Sequence, residues 1–150
     1  MPEKEHVVLA VAPVLESAVH LYDHEVNIDL HMDEKNRAIQ VRGDKDQLLR
    51  LFNNLIKNAA QAILDQERGK IEVHLAQENE NCLIQVKDNG IGIPKEQIER
   101  IFEPNFTTKS SGTGLGLAMA KSIVKQMGGN ISVASEEGEG AIFEVRIRVV

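Results

Sequence analysis

The sequence predicts an α+β fold in which one sheet is covered on a single face by helices. Three observations carry this expectation. Apolar residues recur at helical spacing through one long segment, Leu48 to Ile63. They alternate with polar residues at strand spacing in several short segments. The tally is three main helices and about six strands, with no repeat, low-complexity stretch or Pro/Gly/Ser linker dividing them, so the 150 residues read as one domain.

The elements follow in order. His6 to Leu9 is a short strand candidate, and Pro13 suits the first turn of a helix running to about Tyr22. Val26, Ile28 and Leu30 alternate with Asn27, Asp29 and His31 as in a strand, and Ile39 to Arg42 reads as another that ends at Gly43. Asp44 is placed to cap a helix, with Gln47 three residues on as its capping-box partner. That helix carries Leu48, Leu51, Phe52, Leu55, Ala59 and Ile63 on one stripe, with Gly69 just beyond its end. Ile71, Val73 and Leu75 mark the next strand, and Cys82, Ile84 and Val86 alternate with Leu83, Gln85 and Lys87 in its partner. Glu78-Asn79-Glu80-Asn81 is the turn between them. A short helix is expected over Lys95 to Ile101 after Pro94. A longer one is expected over Leu115 to Met127, closed by Gly128-Gly129. Ile131 to Ala134 and Ile142 to Val149 are the last two strands, joined around Gly138 and Gly140.

Composition excludes several classes of function. Seventeen basic and 23 acidic residues give a net charge of −6, and 3% of residues are aromatic. Neither a basic face nor a stacking platform for nucleic acid is available. No apolar run is long enough to span a bilayer, and no cationic stretch with an apolar run and cleavage site opens the chain. Cys82 is the only cysteine, so no internal disulfide or thiolate-rich zinc site can form. These features predict a soluble domain of a reducing compartment. None of the five histidines shows a metal-ligand spacing, and all are read as structural or exposed.

Three clusters carry chemistry. In Asn54-Leu55-Ile56-Lys57-Asn58-Ala59, the two amides are four residues apart and project from one helical face. With Gln47, Arg50, Gln61 and Asp65 they form a polar stripe opposite the Leu/Phe stripe. A side-chain carbonyl there suits a hard cation such as Mg²⁺, although a solvated helix face has the same pattern. In Asp88-Asn89-Gly90-Ile91-Gly92-Ile93-Pro94, Asp88 ends a strand, where its carboxylate can accept from an exocyclic amine. The two glycines admit a flat ligand close to the backbone, but an ordinary Asp-Asn-Gly turn reads alike. Gly112-Thr113-Gly114-Leu115-Gly116-Leu117 heads a helix and exposes successive N–H groups, a phosphate site or a glycine hinge. It is not a Rossmann fingerprint, since Leu117 stands where glycine is needed, nor a P-loop. Between the last two clusters, Phe102 and Phe106 can anchor a polar loop of Thr107-Thr108-Lys109-Ser110-Ser111, which suits a lid over about 104–112. Lys57 and Lys109 can reach a phosphate.

The order and spacing of these clusters resemble the N, first-glycine, F and second-glycine boxes of the Bergerat-fold ATPase/kinase superfamily. The resemblance spans roughly residues 26–149. Asn-Ala-Ala-Gln-Ala-Ile, Ile-Phe-Glu-Pro and Phe-Thr-Thr-Lys before Gly-Thr-Gly-Leu-Gly-Leu look most like sensor histidine kinases of the nitrogen-regulation and sporulation type. It implies a two-layer α/β sandwich with a mixed, mostly antiparallel sheet. It also implies one catalytic and ATP-binding domain over 1–150, with 1–25 as a strand and helix lead-in. ATP and Mg²⁺ are the implied cofactors. Asn58 matches the Mg²⁺ ligand, Asn54 its companion near the phosphates, and Asp88 the partner of the adenine amino group. Gly90 and Gly92 match glycines flanking the base, while Gly112, Gly114 and Gly116 match backbone around the triphosphate. By the same boxes Ile93, Phe102, Thr108, Lys109, Thr113, Leu115 and Leu117 fall within the nucleotide site, and Asn54, Lys57 and Asn58 serve the chemistry. Two positions depart from the pattern: Ala141 follows Gly140 where threonine is common, and Asn105 replaces an aromatic.

In the hydrolytic branches a glutamate stands at the position of Asn54. An amide cannot activate water as a base, so the resemblance implies transfer to another acceptor. That acceptor is a histidine on a separate dimerisation domain, and a response regulator receiver domain follows as partner. His24-Glu25-Val26-Asn27 superficially resembles the acceptor box, but the strand alternation that follows marks it as a loop histidine. The opening at Met1-Pro2-Glu3 fits a fragment of a larger sensor kinase. A cytoplasmic location follows, in a parent that can be membrane-anchored, with no nucleic acid and no direct membrane contact by this domain. The alternatives are a stand-alone serine kinase and anti-sigma factor, against which Asn54 speaks, and a non-catalytic nucleotide-binding module. With net charge −6, affinity for a polyanion must be local and dependent on Mg²⁺.

Overall fold

A computed structural model describes residues 6–65, 67–104 and 116–150. Three helices lie on one face of a five-stranded sheet. The elements are β1 (Val7–Ala10), α1 (Val11–Tyr22), β2 (Ile28–His31), β3 (Gln40–Gly43), α2 (Lys45–Ala62), β4 (Ile71–Glu78), β5 (Asn81–Asp88), α3 (Gly116–Gln126), β6 (Asn130–Glu136) and β7 (Gly140–Arg148). The sheet order is β2-β4-β5-β7-β6, with β2 parallel to β4 and every other pair antiparallel. This is the mixed, mostly antiparallel two-layer sandwich expected.

The period-2 pattern fixes which face is covered. Ile71, Val73 and Leu75 of β4, Cys82, Ile84 and Val86 of β5 and Phe143, Val145 and Ile147 of β7 are all buried. Strand side chains alternate, so these point to one side and meet the helices there. α2 runs across the middle against β4, β5 and β7, with α1 on its β2 side and α3 on its β6 side. Its Leu48, Leu51, Phe52, Leu55, Ile56 and Ala59 are fully buried, and burying each large side chain of this kind contributes about 1.5–3 kcal/mol. Cys82 belongs to this core, and burial pushes its thiol up to about 12, so it packs as a small apolar residue.

Local signals set the boundaries. The Asp44 carboxylate accepts from the Gln47 N–H at 2.9 Å and caps α2. α3 ends in a Schellman pair, Gly129 N–H to Val124 C=O at 2.9 Å and Gly128 N–H to Lys125 C=O at 3.0 Å. The β4–β5 turn uses Asn79 at φ 56°, a conformation asparagine tolerates.

Four expectations need correction. The strands do not all share one sheet: among the described residues β1 and β3 form a separate antiparallel ribbon. The ribbon joins the sandwich through the Val41–Val149 bridge and the Val150 N–H to Gln40 C=O bond of 2.9 Å. β2 begins at Ile28, not Val26, because the Val26 N–H instead donates to the Tyr22 carbonyl and closes the turn after α1. α2 ends at Ala62, seven residues before Gly69, which closes a turn on the Asp65 carbonyl instead. The segment after Pro94 is no α-helix. Lys95–Gln97 is a single 3₁₀ turn, and the following N–H groups reach back three residues, Arg100 to Gln97 and Glu103 to Arg100. Such i→i+3 turns satisfy the same short apolar spacing as one turn of α-helix.

Candidate functional site

Asp88 is the last residue of β5 and projects onto the helix-covered face, where it is 3% exposed. Its Oδ1 accepts from the Gly90 N–H at 2.8 Å, folding the chain into a tight turn. The loop beyond it is held from three sides. The Asn89 amide donates to the Arg68 carbonyl, and its Oδ1 accepts from Lys70 N–H, both at 2.7 Å. Ile91 N–H donates to the carbonyl of Ala62 at 2.9 Å, tying the loop to the end of α2. Gly138 N–H donates to the Ile91 carbonyl at 2.7 Å, tying it to the β6–β7 turn. Gly92 has φ +71°, and a Cβ there would run into the Glu136 carbonyl, so the tight approach admits only glycine. This network holds the carboxylate and adjoining backbone in place before any ligand arrives.

Asn54 and Asn58 are half-buried on one face of α2, and Lys57 between them is exposed. The Asn54 amide donates to the Gly116 carbonyl at 3.3 Å. That bond joins the polar stripe of α2 to the first residue of α3, the end of the glycine-rich segment. Leu117 is half-buried against the core, as are Ile93 and Phe102. Phe102 meets Phe143 edge-on at a centroid distance of 6.2 Å, and Lys121 Nζ lies 5.7 Å from its ring centroid. Asn105, Phe106, Thr107, Thr108, Lys109, Ser110, Ser111, Gly112, Thr113, Gly114 and Leu115, with the expected lid, lie outside the described residues.

Ser135 is a residue that sequence reasoning missed. Asp88, Ala141 and Ser135 stand directly opposite one another across β5, β7 and β6. Ile93 N–H donates to Ser135 Oγ at 2.8 Å, and the hydroxyl donates to the Gly140 carbonyl at 2.8 Å. With alanine at 141, the hydroxyl in this row comes from the neighbouring strand. It locks the Asp88 loop to the start of β7. Ser135→Ala leaves the part-buried Ile93 N–H without its acceptor, so a loss of about 1–3 kcal/mol is expected. Urea unfolding at constant m-value measures it.

Comparisons with known proteins identify the family. The sensor histidine kinase ZraS of Escherichia coli (strain K12) is 41% identical over 122 residues, covering 81% of this chain and 26% of that protein. Sporulation kinase C of Bacillus subtilis (strain 168) is 33% identical over 136 residues, covering 88% of this chain and 31% of that protein. The chain therefore spans about a quarter to a third of these relatives. A solved, nucleotide-free catalytic domain of the histidine kinase ThkA superposes with a TM-score of 0.84 at 27% identity, covering 96% of this chain and 95% of that one. Residues 43–150 match the family described as histidine kinase-, DNA gyrase B-, and HSP90-like ATPase. The chain, with its sandwich fold and its polar α2 face set against the head of α3, belongs to that family.

Proposed function

We propose that this chain is the catalytic and ATP-binding domain, over 1–150, of a sensor histidine kinase. It binds ATP with Mg²⁺ and donates the γ-phosphoryl group to a histidine on a separate dimerisation domain. The observation that carries the reading is the Asn54–Gly116 bond, which sets the amide face of α2 beside the end of the glycine-rich segment. Asp88, buried and held at the end of β5, supplies the purine end of the same site.

The roles follow from the chemistry of each group. Asp88 accepts from the adenine amino group, and the Gly90–Gly92 backbone lies against the base. The half-buried Asn58 amide offers a hard oxygen donor, the type Mg²⁺ takes, on the same face as Asn54. Mg²⁺, when bound, neutralises phosphate charge. Lys57 and Lys109 add positive charge, and the N–H groups of Gly112, Gly114 and Gly116 are the proposed donors to the phosphates. Asn54 holds position and cannot deprotonate water, so hydrolysis is slow. In the transfer, the bond between the γ-phosphorus and the bridging oxygen breaks and a bond from the histidine nitrogen forms. The imidazole proton passes to an acidic base on the acceptor domain. The domain's own contribution is positioning and charge stabilisation.

A response regulator receiver domain is the next acceptor, and the cytoplasm the expected compartment. No described helix is long and apolar enough to cross a membrane, and neither nucleic acid nor membrane is a proposed partner. The test incubates the chain with radiolabelled ATP, Mg²⁺ and a purified histidine-bearing hairpin domain of a relative. Acid-labile label on the histidine is the expected result, abolished by a chelator. Acid-stable label on a serine-bearing antagonist instead would favour the anti-sigma alternative. Nucleotide affinity unchanged by chelator would contradict the Mg²⁺ dependence.

A further inference from the structure

The outer face of the sheet, away from the helices, carries a second constellation. His31 of β2 and His74 of β4 are direct partners in the parallel register, and Glu72 stands two residues before His74 on the same face. The imidazoles stack with centroids 4.5 Å apart and planes 10° from parallel. His31 Nε2 lies 3.7 Å, and His74 Nε2 3.8 Å, from the same Glu72 Oε1. All three donor atoms fall within 4.8 Å of one another. The ligand spacing is absent from the sequence because a parallel strand pair, not a local motif, assembles it.

We propose that His31, Glu72 and His74 form a Zn²⁺ site on the outer face of the sheet, separate from the nucleotide pocket. Two imidazoles and one carboxylate are the ligand set of an open tetrahedral zinc site, with water in the fourth place. Zinc bonds of about 2.0–2.1 Å put neighbouring donors roughly 3.3 Å apart, so side-chain rotation alone brings these three into range. Nitrogen donors select a borderline first-row ion over Mg²⁺ or Ca²⁺. The side chains are 47%, 29% and 40% exposed in the order His31, Glu72, His74, so an ion reaches them from solvent. Burial first, then the His31 charge, holds His74 below the usual imidazole range; Lys87 acts the same way and Glu72 opposes. That favours the neutral, lone-pair-bearing ring. Lys87 stands opposite Glu72 on β5, and Asp29, opposite Glu72 on β2, pairs with Lys70 at 3.2 Å.

Bound zinc would clamp β2, which pairs only with β4 in this sheet, to its neighbour. Ligand binding to the folded state raises its stability, so zinc should raise the melting temperature in a concentration-dependent way. The experiment titrates the nucleotide-free chain with ZnCl₂ by calorimetry and thermal melting, beside His31→Ala, His74→Gln and a His20→Ala/His24→Ala control. One equivalent is expected to bind. His31→Ala and His74→Gln should each lose more than about tenfold in affinity and most of the melting shift, whereas the control keeps both. Co²⁺ in place of Zn²⁺ should give the intense visible absorption of a four-coordinate ion, lost in His74→Gln. Circular dichroism checks that both variants remain folded. The absence of saturable one-to-one binding, or a titration unchanged in His31→Ala and His74→Gln, would overturn the proposal. Neither outcome depends on ATP, so failure here leaves the kinase reading untouched.

Discussion

Asp88→Asn is expected to abolish ATP binding while the domain stays folded. Asparagine keeps the oxygen that accepts the 2.8 Å bond from Gly90 N–H, along with the shape of the side chain, so the turn survives. The change at the ligand is much larger. A hydrogen bond to a charged group contributes about 1.5–3 kcal/mol, and its loss alone weakens binding by roughly 10- to 150-fold. The introduced NH₂ also allows a donor to meet the adenine amino group at a residue that is only 3% exposed, where water cannot freely replace the lost partner. The combined loss should exceed about 100-fold. Calorimetry with Mg²⁺ and ATP measures it, and urea unfolding should show a midpoint close to that of the parent. Unchanged affinity would remove Asp88 from the purine contact.

Gly140→Ala should be strongly destabilising. Gly140 opens β7 at φ +110°, and a Cβ there would collide with the backbone carbonyl of Asp88. The dihedral alone costs about 1–3 kcal/mol for a residue with a side chain. The collision adds to it, because a backbone atom in a paired strand cannot step aside as a side-chain tip can. A loss of at least about 3 kcal/mol is expected, with impaired ATP binding, since the displaced backbone carries the carboxylate proposed to hold the purine. Gly138→Ala is the matched control. Its φ is also positive, at +85°, but no described atom lies within 4 Å of the new methyl. It should show the dihedral cost alone and keep nucleotide affinity. Equal effects at 138 and 140 in urea unfolding would mean that contact with Asp88 plays no part.

Much of this architecture was legible in the sequence because its signals are local. The Asp44 cap, the Leu48–Ala59 stripe, the Asn79 turn and the Gly128-Gly129 stop each depend on residues a few positions apart, and each is where the pattern put it. Asp88 at the end of a strand belongs to the same class. Features made by strand pairing were not legible. The Ser135 hydroxyl acquires its partners only once β6 lies beside β7 and the loop after β5 folds over both. His31 and His74 are distant in sequence and meet through the parallel pairing of β2 with β4. Short strands do not announce their partners either, which is why β1 and β3 were not foreseen as a separate ribbon. The misread segment after Pro94 has another cause: Ile98 and Ile101, three residues apart, fit an α-helical turn and a chain of 3₁₀ turns alike.

The decisive measurement is a crystal structure of the chain with Mg²⁺ and a non-hydrolysable ATP analogue. The adenine amino group should lie within hydrogen-bond distance of the Asp88 carboxylate. The ion should be on Asn58, with the triphosphate between Asn54 and the head of α3 at Gly116. A purine held by any other side chain, or phosphates lying away from that amide pair, would contradict the proposed function.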